Sequence, residues 1–166
     1  MKLIKLIVAV AFLFLTGSIH AQQLKTGTTY NTAVGVRALG TSGLSVKHFT
    51  NRSTALEGIV GFYPNSFSVT LMLERYSPAF DVAGLNWYYG LGGHMASRSD
   101  FGRYDGRYRR ETSELGLGVD GIFGIEYKID RIPIAVSLDF KPFLEVATDG
   151  HAFMALDPGL GIKVTF

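Results

Sequence analysis

The chain has 166 residues, with 16 Lys and Arg against 14 Asp and Glu, no Cys, 47% hydrophobic residues and only 18% charged ones. So small a charge imbalance provides no basic surface for nucleic acid, and the absence of thiols excludes disulfides and thiolate metal centres. The composition is oily, yet no apolar run after residue 21 is long enough for a helix to span a membrane.

The first element is a leader. Lys2 and Lys5 precede ten apolar residues, Leu6 to Leu15, and then Thr16-Gly17-Ser18-Ile19-His20-Ala21. A basic start, a short apolar centre and a small residue before a polar stretch predict a secretory signal peptide over 1–21, cleaved after Ala21. Its loss removes two lysines and leaves fourteen basic against fourteen acidic residues in one domain, 22–166.

From Tyr30 onward apolar and polar residues alternate at period two, which places them on opposite faces of strands. The first strand, 30–39, sets Val34, Val36 and Ala38 against Ala33, Gly35 and Arg37. A second, 44–50, has Lys47 opposite Val46, and a third, 54–62, sets Leu56, Val60 and Phe62 against Glu57 and Gly61. The fourth, 67–75, alternates Val69, Leu71 and Leu73 with Thr70, Met72 and Glu74. The fifth, 85–96, separates Trp87, Tyr89 and Leu91 from Asn86, Tyr88, Gly90, Gly92 and His94. A polar segment rich in Arg and Tyr, 97–114, reads as the long loop.

Leu115 to Leu144 then forms the longest alternating stretch, a hairpin turning at Lys128-Ile129-Asp130-Arg131. Leu117, Val119 and Phe123 oppose Gly118, Asp120 and Glu126 on its first strand; Ile134, Val136 and Leu138 oppose Ala135, Ser137, Asp139 and Lys141 on its second. The last strand, 153–166, alternates Leu160, Ile162, Val164 and Phe166 with Gly159, Gly161, Lys163 and Thr165.

The longest of these runs last about ten residues or more. Strands of soluble sandwiches average about five or six, and about ten cross a bilayer at a tilt. Eight strands with one apolar face and one Gly-rich, charged face predict an all-β fold, a transmembrane up-and-down antiparallel β-barrel, over a secreted sandwich. Both termini then lie on the periplasmic side, and the loops at 40–43, 63–66, 97–114 and 146–151 share the outer side. Tyr30, Tyr63, Tyr76, Trp87, Tyr127, Phe143 and Phe166 fall near strand ends, where aromatic girdles are expected.

Certain residues carry a resemblance: Gly35-Val36-Arg37, Leu56-Glu57-Gly58-Ile59, Trp87-Tyr88-Tyr89-Gly90, Gly121 through Tyr127, Ile132-Pro133 and Ser137 through Pro142. With these motifs the chain resembles the small eight-stranded outer-membrane β-barrel proteins of Gram-negative bacteria over essentially all of 30–166. The resemblance implies residence in the outer membrane among lipid and lipopolysaccharide. It also implies delivery by the barrel-assembly machinery, with Phe166 as the terminal aromatic that machinery reads. It specifies a fold and a location, and no reaction.

Catalytic constellations are sparse. Barrel lipid A deacylases carry a His and a Ser two apart on one strand face, whereas His94 and Ser97 are three apart and fall on opposite faces. Neither Gly-x-Ser-x-Gly nor His-Glu-x-x-His occurs. Asp120, Glu126, Asp139 and Glu145 share the inner face of neighbouring strands, but a narrow barrel has little room for a sugar between two of them. Ion pairing is the better reading, and His94 reads as a satisfied interior histidine. Strand register places Arg37, Lys47, Glu57, Glu74, Asp120, Glu126, Asp139, Lys141, Asp157 and Lys163 in an interior charge network, with Asp157 the candidate partner of Lys163. In the long loop, Arg103-Tyr104 echoed by Arg107-Tyr108 offers guanidinium groups to phosphate, while four acids offset its five arginines.

The expectation is therefore a monomeric barrel without cofactor, with a side-chain-filled, non-conducting interior and a structural or surface-interaction role. A lipid-active enzyme resembling the deacylases is the alternative, and a narrow pore the third.

Overall fold

In the computed structural model, which describes residues 28–63, 66–101, 111–148, 150 and 152–166, the alternating segments become eight strands. These are β1 (Thr32–Leu39), β2 (Gly43–Asn51), β3 (Thr54–Tyr63), β4 (Ser66–Pro78), β5 (Leu85–Phe101), β6 (Glu111–Lys128), β7 (Ile134–Ala147) and β8 (Ala152–Thr165). Each pairs antiparallel with its successor, and β8 returns to β1, so the sheet is a closed barrel with no free edge. The seam is finished by the last residue, whose N–H donates to Thr32 O at 2.8 Å and whose carbonyl accepts from Asn31 at 2.9 Å. The predicted leader lies outside the described residues.

The register fixes the barrel's shape. Cross-strand partners followed from Gly35 run through Ser45, Ile59, Thr70, His94, Gly118 and Glu145 to Phe153. Gly35's own partner on β8 is Lys163, ten residues further along that strand. A stagger of that size around eight strands requires a steep tilt, about 35–45°, and an interior just wide enough for side chains.

That interior is polar and the exterior apolar. Nineteen polar or charged residues are buried among the described residues against twelve apolar ones, five of them alanine. Outside, Val36, Val46, Leu56, Leu71, Leu91, Leu117, Leu138 and Ile162, one on each strand, are all at least 41% exposed. Period-two alternation produces this arrangement because every inward residue is flanked by two outward ones.

The strands outrun the hydrophobic pattern. Segments 97–101 and 111–114, expected within the long loop, continue β5 and β6 through Arg98↔Glu114, Ser99↔Ser113, Asp100↔Thr112 and Phe101↔Glu111. A backbone ladder needs no apolar side chain, so alternation locates the greasy band and not the strand end. β4 likewise runs on through Tyr76, Ser77 and Pro78, paired with Tyr88, Trp87 and Asn86. The β5–β6 hairpin thus passes β4, whose first residue pairs with Arg98, and β7, whose last pairs with Gly116. One lapse interrupts the β6–β7 ladder, between Asp120↔Phe143 and Phe123↔Phe140, where Pro142 has no N–H to contribute.

Candidate functional site

The lumen holds two ionic clusters, one above the other. Nearer the termini, Lys47 is fully buried on β2, with Nζ 2.9 Å from Glu57, 2.8 Å from Glu74 and 3.5 Å from Glu126. Tyr30 donates to the other oxygen of Glu126 at 2.5 Å, and Lys47 also donates to the Tyr76 hydroxyl. The second oxygen of Glu57 meets Lys163 Nζ at 2.8 Å. Below this knot Tyr30, Phe49, Tyr76 and Tyr88 form a file with successive centroid spacings of 5.1, 4.9 and 5.1 Å.

Nearer the rim, the Arg37 guanidinium reaches Asp139 at 2.6 Å and Asp157 at 3.1 Å. Asp157 also accepts from the Thr41 backbone N–H and hydroxyl, both at 2.6 Å, and so ties the β1–β2 turn to β8. Leu39 just before that turn holds a left-handed φ of 88°, a conformation costly for a branched side chain and sustained here by these ties. Lys141 bridges Asp120 at 2.9 Å and Asp157 at 3.2 Å. His94 completes the cluster, with Nδ1 2.7 Å from Asp120 and Nε2 2.9 Å from Glu145. A neutral imidazole has one donor, so both contacts are hydrogen bonds only if the ring carries two protons or one carboxyl carries one.

Isolated charges so deeply buried would each cost several kcal/mol, and multiple partners at hydrogen-bond distance offset that cost. The inward glycines provide the room. A Cβ on Gly159 would overlap the Arg37 guanidinium, and one on Gly118 would overlap the His94 ring. Those positions are empty so that long charged side chains can cross the lumen.

All ten residues expected in the interior network face the lumen and are buried. Their pairing differs from expectation in one respect: Lys163 bonds Glu57, while Asp157 serves Arg37, Lys141 and Thr41. Six residues along one strand span about 20 Å, beyond a lysine's reach. Tyr30 and Tyr76, expected in an aromatic girdle, are 6% and 5% exposed inside the barrel, and Phe143 packs edge-on to His94 at 5.3 Å. Inward parity governs these rings, and nearness to a strand end does not. Trp87, Tyr127 and Phe166 remain on the outer face, Phe166 73% exposed. The Tyr63 side chain and the surface-contact candidates Arg103, Tyr104, Arg107 and Tyr108 lie outside the described residues.

Sequence reasoning missed the partners of His94 and Glu145, the roles of Thr41 and Tyr88, and the cavity beside them. Inward parity signals each strand residue, but no local pattern tells which cross-lumen neighbour it meets. The cavity, of about 280 Å³, lies in the rim-side half of the lumen against Ser66, Ser68, Thr70, His94, Phe143 and Glu145. The hydrolytic pairing is not formed there: Ser97 occupies the opposite face of β5, and both His94 nitrogens are engaged by carboxylates. Among the described residues no cluster of His, Asp and Glu is arranged to hold a metal ion.

The molecule is thus a closed eight-stranded antiparallel barrel with an apolar exterior and an ion-paired lumen. No protein-family model, no curated protein and no solved structure matches the chain.

Proposed function

We propose that this barrel spans the outer membrane of a Gram-negative cell as a plugged, non-conducting wall protein that presents its β5–β6 hairpin to the surroundings. The observation that supports this most is the inverted polarity. Apolar side chains encircle all eight strands outside while the charges are paired inside. Soluble monomers rarely expose contiguous apolar patches beyond a few hundred Å², and a continuous belt of this kind is suited to lipid. Two ionic clusters and the file of four aromatic rings occupy the lumen, which favours a plug over a pore.

On this reading the longest hairpin projects outward, and its arginines meet lipopolysaccharide phosphates or a neighbouring surface. The engaged state of His94 favours that structural role over lipid hydrolysis. Two measurements test the proposal. Trypsin added to intact cells should cut the arginine-rich 102–110 segment while leaving the barrel core whole, and purified protein in a planar bilayer should carry no steady current. Protection of that segment until the outer membrane is permeabilised, or steady conductance, would remove the corresponding half of the reading.

A further inference from the structure

His94 stands on β5, yet it holds a carboxylate on each of the next two strands. Its cross-strand partner on β6 is Gly118, whose own partner on β7 is Glu145. Gly118 carries no side chain, so the ring lies over the β6 backbone and Nε2 reaches Glu145 at 2.9 Å. Gly116 leaves room for the Glu145 carboxylate in the same way. The opposite nitrogen, Nδ1, meets Asp120 on β6 at 2.7 Å.

The backbone beneath this contact is interrupted. Rimward, β6 and β7 pair only from Asp120↔Phe143 to Gly116↔Ala147, and the lapse beside Pro142 separates that stretch from the ladder beginning at Phe123↔Phe140. Side chains bridge the gap. Lys141 on β7 holds Asp120 on β6 at 2.9 Å, and His94 ties Asp120 to Glu145 above it.

The tie needs a proton. Carboxylates only accept, so a ring facing one at each nitrogen must donate from both. Placing the proton on a carboxyl instead is unfavourable, because carboxylic acids are stronger acids than imidazolium by about two pK units. The charges around the ring agree. In this half of the lumen Arg37 and Lys141 are the fixed cations facing Asp120, Asp139, Asp157 and Glu145 among the described residues. Of the elements packed on the ring, β4 presents the neutral Thr70, β6 presents Asp120, and β7 presents Lys141 and Glu145. Asp157 on β8 and Arg37 on β1 connect to it through Lys141.

We propose that His94 is a proton-operated clasp: the doubly protonated ring fastens the rimward β6–β7 stretch to β5, and loss of one proton releases it. A neutral ring keeps one contact and turns an unprotonated nitrogen toward the other carboxylate. Protonation and fastening are therefore linked, and the stretch loosens as pH rises through the ring's own titration. The cavity of about 280 Å³ beside His94 and Glu145 gives the released side chains room to move. The clasp depends on contacts inside the barrel and not on where the barrel resides, so it stands or falls apart from the membrane reading above.

The experiment uses the full chain refolded in detergent micelles, from about pH 5 to 9, the range in which imidazole titrates. Nitrogen-15 NMR reads the protonation of the ring. Amide exchange over 116–120 and 143–147, taken relative to 123–127 and 136–140, reads the fastening. Both ring nitrogens should carry protons at the acid end. As the ring titrates, relative protection of the rimward amides should fall about tenfold with the same midpoint, the effect of losing one hydrogen bond to a charged group. His94→Gln should abolish that pH dependence. Glu145→Gln should flatten it, because its amide donates to the deprotonated nitrogen. Heat-modifiable gel migration shows that each variant is folded. A ring carrying a single proton at the acid end, or rimward exchange that does not follow the ring's titration, would overturn the proposal in the parent protein alone. An undiminished pH dependence in folded His94→Gln would do the same.

Discussion

Lys163 on β8 and Glu57 on β3 are ion-paired at 2.8 Å across the lumen, although β1 and β2 stand between their strands in the sheet. The contact therefore braces the seam where the two ends of the chain close the barrel. Among the described residues Glu57 is the one carboxylate within ion-pair distance of Lys163, whereas Glu57 also holds Lys47 at 2.9 Å.

An asymmetry follows from that relationship. Glu57→Gln leaves Lys163 buried and without a carboxylate, and removing one partner of a buried pair costs ~3–5 kcal/mol. Lys163→Met leaves Glu57 with Lys47 and should cost about half as much or less. Urea titration of the heat-modifiable folded band, in vesicles, reads both values. Equal losses, or a larger loss for Lys163→Met, would mean that the Lys163–Glu57 contact does not brace the seam.

The inward glycines predict a second result. Gly159→Val should destabilise the barrel by displacing the Arg37 guanidinium from Asp139 and Asp157, because the added Cβ occupies the guanidinium's place. Gly58→Val, on the outer face with nothing within 4 Å of a new Cβ, should be nearly neutral. Comparing the two midpoints separates a space requirement from a general demand for glycine in tightly curved strands.

Substitutions can divide the seam contact of Phe166 from its proposed part in assembly. Its backbone finishes the seam through Thr32 and Asn31, while its ring points outward, 73% exposed. Phe166→Ala keeps the backbone bonds, so refolding into vesicles should be unchanged while insertion in cells falls. Deleting the residue should impair both. Undiminished cellular insertion of Phe166→Ala would take away the proposed role of the ring as an assembly signal.

The eight strands and the inside–outside assignment of their residues were legible because period two is a local property, visible within a few neighbours. Arg37, Lys47 and Lys163 could be placed inside from their own flanks alone. Their partners could not, since Lys163 finds Glu57 only after the chain has closed with a ten-residue stagger. Strand ends were hidden for another reason: above the apolar band, 97–101 and 111–114 continue the backbone ladder, which apolar alternation does not mark. Tyr30 and Tyr76 were misplaced because an aromatic near a strand end suits either an interface belt or the lumen, and only inward parity separates the two.

The apolar belt gives a prediction with a sign and a size. Leu117, Val136 and Ile162 face outward from β6, β7 and β8. Arginine on the lipid face near a bilayer midplane costs about 2–4 kcal/mol. Leu117→Arg, Val136→Arg and Ile162→Arg should each lower stability in vesicles by that order. A protein that stays dispersed in buffer without detergent and tolerates all three has an exterior made for water.

The most direct measurement uses the single tryptophan. Trp87 lies near the terminus end of β5 on the outer face, stacked on Phe123 at 5.5 Å and edge-on to Phe80 at 5.3 Å. In vesicles of brominated phospholipid its fluorescence should be quenched, more strongly by bromines high on the acyl chain than by those near its end, and iodide in the buffer should have little effect. Strong quenching by iodide with none from any brominated lipid would contradict a membrane-spanning barrel.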